Sequence, residues 1–250
     1  MSTLQKTQSI RSHLNIVIDG MTQDELLEIG RQLNALSYTP NISLYKTLPI
    51  HGNILNARLD LAQATSDLGH IATHRIAHPE VTLVSSDREI LTSEYVDEDS
   101  RIDPLSVGQL FSQGATVIFT HLHRRVQSLA RLAVDLQGAC SAPIQTNVYL
   151  TPSGAQGFPP HWDTHDVFVL QVFGRKKWTI YDTKIALPLR GQSFDHELHH
   201  AGAVTAEFEL AAGDLAYIPR GLIHSAKSSD EPSLHVTVGV LAMTWAELLL

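Results

Sequence analysis

Cysteine is almost missing from this chain. Cys140 stands alone among 250 residues, which excludes an internal disulfide and suits a reducing compartment. Basic residues are also short: 18 Lys and Arg face 26 Asp and Glu, for a formal charge of −8. No basic track large enough to neutralise a phosphate backbone is visible, so direct nucleic-acid binding is not expected. No apolar run approaches the roughly 20 residues of a membrane span. The opening residues Met1 to Lys6 lack the apolar core of a secretion signal. Together these absences lead to the expectation of a cytoplasmic protein with no membrane partner. What is present, 43% hydrophobic and 18% charged residues, suffices for a buried core in one domain with an annex.

Two textures divide the chain. In the first, Thr22–Glu25 forms a capping box, and Leu26, Ile29, Leu33 and Leu36 follow at helical spacing. Residues 38–52 are rich in turn formers and read as irregular. Beyond them, a strand is expected at 80–84, and Asp103-Pro104 opens a helix that Gly114 ends. Residues 115–120 form a short β-branched strand. Apolar positions Val126, Leu129, Ala133 and Leu136 then predict a helix from His121 to Gln137, closed by Gly138.

After Gly138 short strands follow one another with Gly, Pro and Asp between them. They are expected at Thr146–Thr151, Asp166–Phe173, Lys177–Tyr181, Val204–Leu210, Asp214–Ile218 and His235–Leu241. Such even spacing indicates a sandwich or barrel, here a jelly roll. The organisation expected is an α-rich annex over 1–77 and a mainly β domain with flanking helices over 78–250. A last capping box, Thr244–Glu247, precedes three leucines and predicts a helix start with an apolar end.

Fourteen histidines are present, and two of them sit in a chemically suggestive frame. His161-Trp-Asp163 is followed 61 residues after Asp163 by His224, which comes just after Pro219-Arg-Gly221. On an extended strand, residues i and i+2 project to one face, so His161 and Asp163 can act together. A histidine from a neighbouring strand would complete two imidazoles and one carboxylate, the facial set that non-haem Fe(II) uses with positions left open. On spacing alone this remains undecided between a metal centre and unrelated histidines.

The wider context carries more. The run Thr146 to Asp163, the run Asp166 to Trp178, the segment Gly213-Asp-Leu-Ala-Tyr-Ile-Pro-Arg-Gly-Leu-Ile-His224 and Ser233-Leu-His-Val-Thr237 together resemble the JmjC-type ribosomal-oxygenase (cupin-like) family. The resemblance is dense from about residue 140 to 245, with glycines, prolines, Gln171 and Trp178 in register. It implies a double-stranded β-helix and Fe(II) held by His161, Asp163 and His224. It also implies 2-oxoglutarate as cosubstrate with O2, and hydroxylation of a side chain in a protein or peptide. It places Lys176 where the family pairs a lysine with the distal carboxylate of 2-oxoglutarate, and an ammonium suits that task. Asn147 and Thr237 match polar positions of the cofactor pocket, and Tyr149 one near the substrate. A homodimer belongs to the same set of expectations.

Lys177, one residue on, is expected to face the other side of its strand. The tract Asp195-His-Glu-Leu-His-His200 reads as a solvated loop, His121 and His123 as surface residues, and His165 as no ligand. Two rival functions stay open: a tailoring hydroxylase of a small metabolite or biosynthetic peptide, and a non-catalytic metal-binding cupin.

Overall fold

The computed structural model describes residues 43–45 and 78–241, apart from 126, 184 and 186. The helix expected after Thr22 and the capping box at Thr244–Glu247 lie outside the described residues. So does most of the 1–77 annex.

The order along the chain is β1 (Ser43–Tyr45), β2 (Val81–Val84), α1 (Pro104–Ser112), β3 (Thr116–Phe119), α2 (Gln127–Cys140) and β4 (Ile144–Thr151). Then come β5 (Asp166–Phe173), β6 (Arg175–Tyr181), β7 (Val204–Ala211), β8 (Leu215–Ile218), β9 (His224–Ser228) and β10 (Ser233–Val240). A seven-stranded sheet, ordered β1-β8-β5-β10-β4-β3-β2, stands against a three-stranded sheet, β7-β6-β9. This is the double-stranded β-helix, and its strands are antiparallel to their neighbours. Among the described residues no helix is long and apolar enough to cross a membrane.

Local chemistry explains the elements that frame the barrel. Asp103 caps α1 by accepting from the amides of Leu105 and Ser106 at 3.1 and 3.2 Å, with Pro104 at the first helical position. On β4 burial alternates. Ile144, Thr146, Val148 and Leu150 point into the outer core, which Leu129, Leu132, Ala133 and Leu136 of α2 join. Their partners on the other face, Asn147, Tyr149 and Thr151, look into the barrel. Burying each large apolar side chain contributes roughly 1.5–3 kcal/mol, so this layer holds β4 and β10 rigidly behind the site. Gly174 turns β5 into β6 at φ +65, where a Cβ would collide with the Pro232 carbonyl oxygen.

Four expectations change. The helix placed from His121 begins later, because His121 takes a left-handed conformation (φ 54) and a 3-10 turn at Leu122–Arg124 comes first. It also runs through Gly138 to Cys140, since packing overrides the weak helix preference of glycine. Residues 43–45, read as irregular, pair with β8. Strand β9 was not expected at all, because His-Ser-Ala-Lys-Ser lacks the β-branched texture that signals a strand. Cys140 is buried at the end of α2, and burial pushes its thiol up to about 11, leaving an unreactive packing residue.

Candidate metal centre and its cleft

Between the two sheets, His161, Asp163 and His224 bring one ligand atom each to within 4.8 Å of one another. The arrangement begins in the backbone. His161 N donates to His224 O at 3.1 Å, and His224 N donates to His161 O at 2.8 Å. The two histidines are thus each other's bridge partners, and their rings lie 4.7 Å apart. Gly221 N donates to Asp163 O at 3.0 Å, which ties the turn before His224 to the carboxylate segment.

The imidazoles are also oriented. His161 Nδ1 lies 2.9 Å from Pro159 O and His224 Nδ1 lies 2.9 Å from Leu222 O. A carbonyl only accepts, so each Nδ1 carries the proton and each Nε2 presents a lone pair. His224 Nε2 stands 3.7 Å from Asp163 Oδ2. Burial, reinforced by the neighbouring His161, lowers the pKa of His224 to about 4. It is therefore neutral near pH 7, as a metal ligand must be. Two oriented imidazole lone pairs and one carboxylate fit a divalent first-row ion, and iron among them.

Across the cleft sits Lys176, only 3% exposed. Its ammonium donates to Thr151 Oγ1 at 2.9 Å, and Thr116 Oγ1 donates to the same oxygen at 3.1 Å. Burial lowers the Lys176 pKa to about 7. A buried ammonium with a hydroxyl for company is costly, and a carboxylate arriving in the cleft would relieve it. Lys177 points outward and pairs with Glu207 at 2.9 Å.

The remaining candidates divide. Tyr149 lines the cleft, stacked on His235 with ring centres 4.7 Å apart and planes nearly parallel. Burial raises the Tyr149 pKa to about 12, so the phenol keeps its proton. Thr237 also lines the cleft and pairs in register with Asn147. Asn147 Oδ1 accepts from His121 N at 3.0 Å. Four residues separate Asn147 from Thr151 on β4, roughly 13 Å along a strand. Asn147 and Thr237 are therefore placed toward the opposite end of the cleft from the Lys176 ammonium.

Two participants escaped the sequence reading. Thr151 and Thr116 meet only because β3 and β4 pair, and nothing in their local sequence marks them. His235, on the strand that carries Thr237, is buried beside Trp178 and Tyr149, with Nδ1 unpartnered among the described residues, and burial followed by the Lys176 charge holds it neutral. His121 and His123, read as surface residues, are half-buried and bond Gln145 and Thr146. The empty space of the cleft, counting the solvent at its open mouth, is about 560 Å³.

With this geometry in view, comparisons with known proteins are specific. The sequence profile described as the JmjC domain matches residues 121–248. A Dictyostelium discoideum protein named bifunctional lysine-specific demethylase and histidyl-hydroxylase NO66 is 38% identical over 160 residues, covering 62% of this chain and 31% of its own. Ribosomal oxygenase 2 of Bos taurus is 38% identical over 159 residues, covering 62% and 34%. The chain thus spans about a third of the length of these curated relatives. Among solved structures, Escherichia coli YcfD superposes with a TM-score of 0.56 at 17% identity, over 92% of this chain and 55% of that one. YcfD has also been solved with cobalt and 2-oxoglutarate (TM-score 0.52, 18% identity, 84% and 50% covered). At such identity these structures speak for the fold.

Proposed function

The chain belongs to the JmjC domain family, and on that footing we propose that it is an Fe(II)- and 2-oxoglutarate-dependent oxygenase hydroxylating a side-chain carbon in a protein or peptide. The observation that carries this reading is a pairing across one cleft. Two oriented imidazole lone pairs and a carboxylate stand on one side, and a buried ammonium with no carboxylate on it among the described residues stands on the other. A cupin that only binds metal has no use for that ammonium.

His161, Asp163 and His224 would hold the iron. When bound, iron with 2-oxoglutarate and O2 supplies the oxidation of the keto acid to succinate and CO2 that delivers one oxygen atom to a C–H bond. The chain's own residues supply position and exclusion. Lys176, with Thr151 and Thr116 behind it, receives the distal carboxylate and so sets the direction in which the keto acid lies. Trp178 and Val169 give the floor of the cleft its apolar surface, which strengthens the charge contact by keeping water out. Asn147 and Thr237 remain the polar contacts for the end of the keto acid away from Lys176, and Tyr149 is left for the substrate, offering a phenol that stays protonated. Phe158, 38% exposed at the mouth, offers an apolar contact to an incoming chain.

The names of the relatives direct the substrate search first to ribosomal proteins and histidyl side chains, and a cytoplasmic homodimer is part of the same proposal. Incubation of the protein with Fe(II), ascorbate, 2-oxoglutarate and host extract tests the proposal. Expected are succinate formation and peptides heavier by one oxygen, both absent with His161→Ala. Tight metal and 2-oxoglutarate binding with no succinate, alone or with extract, would reject the enzyme reading.

A further inference from the structure

The connection between β6 and β7, residues 182–203, carries the histidine-rich tract expected as a solvated loop. Most of the tract is exposed, yet the connection is anchored on the two segments that bear the metal-ligand candidates. Trp162, between His161 and Asp163, is 4% exposed and donates Nε1–H to Gln192 O at 3.0 Å. Its ring meets Phe194 edge-on at 4.7 Å and His199 at 4.5 Å. The connection is itself braced there. Asp195 N donates to His199 Nδ1 at 3.0 Å, and Leu189 N donates to Gln192 Oε1 at 2.8 Å.

The second anchor grips the other segment. Thr183 Oγ1 donates to Gly221 O at 2.8 Å. Gly221, at φ +83, packs so closely under the connection that a Cβ would meet Ile185 O at 2.8 Å. Asp182 N donates to Ala203 O at 2.8 Å and closes the base.

Side chains alternate along extended backbone, so Trp162 points away from the face that carries His161 and Asp163. Its contacts act on the ligands only through the backbone. That backbone needs support, because His161 and His224 meet in an isolated bridge with no continuing ladder. That bridge and the Gly221 N–Asp163 O bond are the direct backbone ties between the two segments, so the angle between them depends on what packs beside them.

We propose that the 182–203 connection is a clasp that sets the spacing of the His161–Asp163 segment from the His224 segment, with Trp162 and Thr183 as positioning residues. The inference rests on reading the three residues as a metal centre. Ligand atoms must converge to within about 0.2 Å of the bond lengths a metal demands, so a small pivot is felt as lost affinity.

Three variants test it. Trp162→Phe keeps a ring in the sandwich and removes the N–H. Thr183→Val keeps the volume and removes the hydroxyl. Leu198→Ala, at a position 76% exposed on the same connection, is the control. Mn(II) titration of the metal-stripped proteins without cosubstrate, and the charge-transfer absorption of the anaerobic Fe(II)–2-oxoglutarate complex, are the readouts. Trp162→Phe and Thr183→Val are each expected to weaken Mn(II) binding about tenfold, the lower end of what outer-shell partners contribute. Both should shift the absorption, whereas Leu198→Ala matches the parent. Parent-like Mn(II) affinity in both variants overturns the clasp, and Thr183→Val decides alone if Trp162→Phe does not fold. His161→Ala in the same titration separates the two ideas: Mn(II) binding untouched by that change would overturn the metal-centre reading itself.

Discussion

The two faces of strand β6 handle charge in opposite ways. On the outer face, Arg175 and Lys177 stand half-exposed against Glu209 and Glu207, each pair at 2.9 Å. On the inner face, one residue between them, Lys176 is buried and its ammonium donates to the Thr151 hydroxyl. His224 and His235, also inward, are pushed toward neutrality by the same burial. The outer charges are complete within the protein. The inner groups are arranged for something that arrives from outside, and the cost of keeping them unpaired is the structural trace of a binding site.

The largest expected effect lies at the ligands. His161→Ala or Asp163→Ala should abolish turnover. Either should weaken Mn(II) binding by more than the roughly hundredfold that loss of an outer-shell partner costs. His165→Ala should keep both, because His165 rests against Gly239 and Gln145 rather than joining the three. Metal titration of the four proteins side by side checks this, and retained binding in Asp163→Ala would break the contrast between the faces at its strongest point.

Next comes Lys176. Charge-assisted hydrogen bonding to a carboxylate contributes roughly 1.5–3 kcal/mol, so Lys176→Ala should raise the apparent 2-oxoglutarate constant about ten- to a hundredfold. Lys176→Met keeps the volume and removes the buried amine. It should raise the thermal midpoint of the cosubstrate-free protein and lose the extra stabilisation that 2-oxoglutarate gives the parent. Differential scanning calorimetry with and without the keto acid reads both.

The same lysine sets a pH dependence. Its folded pKa is lowered from 10.5 to about 7. Between those values the unfolded chain holds more protons than the folded one, so this group makes stability rise with pH across that window. Cosubstrate binding has the opposite sign. The carboxylate needs the ammonium, so above pH 7 binding must take up a proton, and affinity should fall by up to about tenfold per pH unit. Calorimetric titration in buffers of different ionisation enthalpy checks the uptake, and Lys176→Ala should show none.

How much of this was legible beforehand follows from which signals are local. The period-2 alternation of β4 and β6 separates their faces, so Lys177 could be read as turned away from Lys176, whose own place came from the family resemblance, and β5 was bounded to the residue. The i, i+2 spacing and a turn glycine are local too, but on them alone His161, Asp163 and His224 stayed undecided, and the family resemblance carried the ligand set. Thr116 and Thr151 were not legible, since their meeting depends on the pairing of β3 with β4 across 35 positions. Strand β9 was hidden because its five residues are held by β6 on one side rather than by their own preference. The tract at 195–200 was read correctly as an exposed loop in the main. What composition could not disclose is that His199 of that loop lies on Trp162.

The smallest expected effect sits on the outer face and closes the comparison. Lys177 and Glu207 retain 55% and 49% side-chain exposure, so water already solvates both charges and the long side chains lose entropy to meet. Such exposed pairs contribute about 0–1 kcal/mol, and salt screens them further. Lys177→Ala should therefore shift the thermal midpoint little, less still at high ionic strength, and leave the 2-oxoglutarate constant at the parent value. Glu207→Ala should behave alike. A large cosubstrate defect in Lys177→Ala with none in Lys176→Ala would mean that the strand register is off by one residue. The two faces of β6 would then exchange roles.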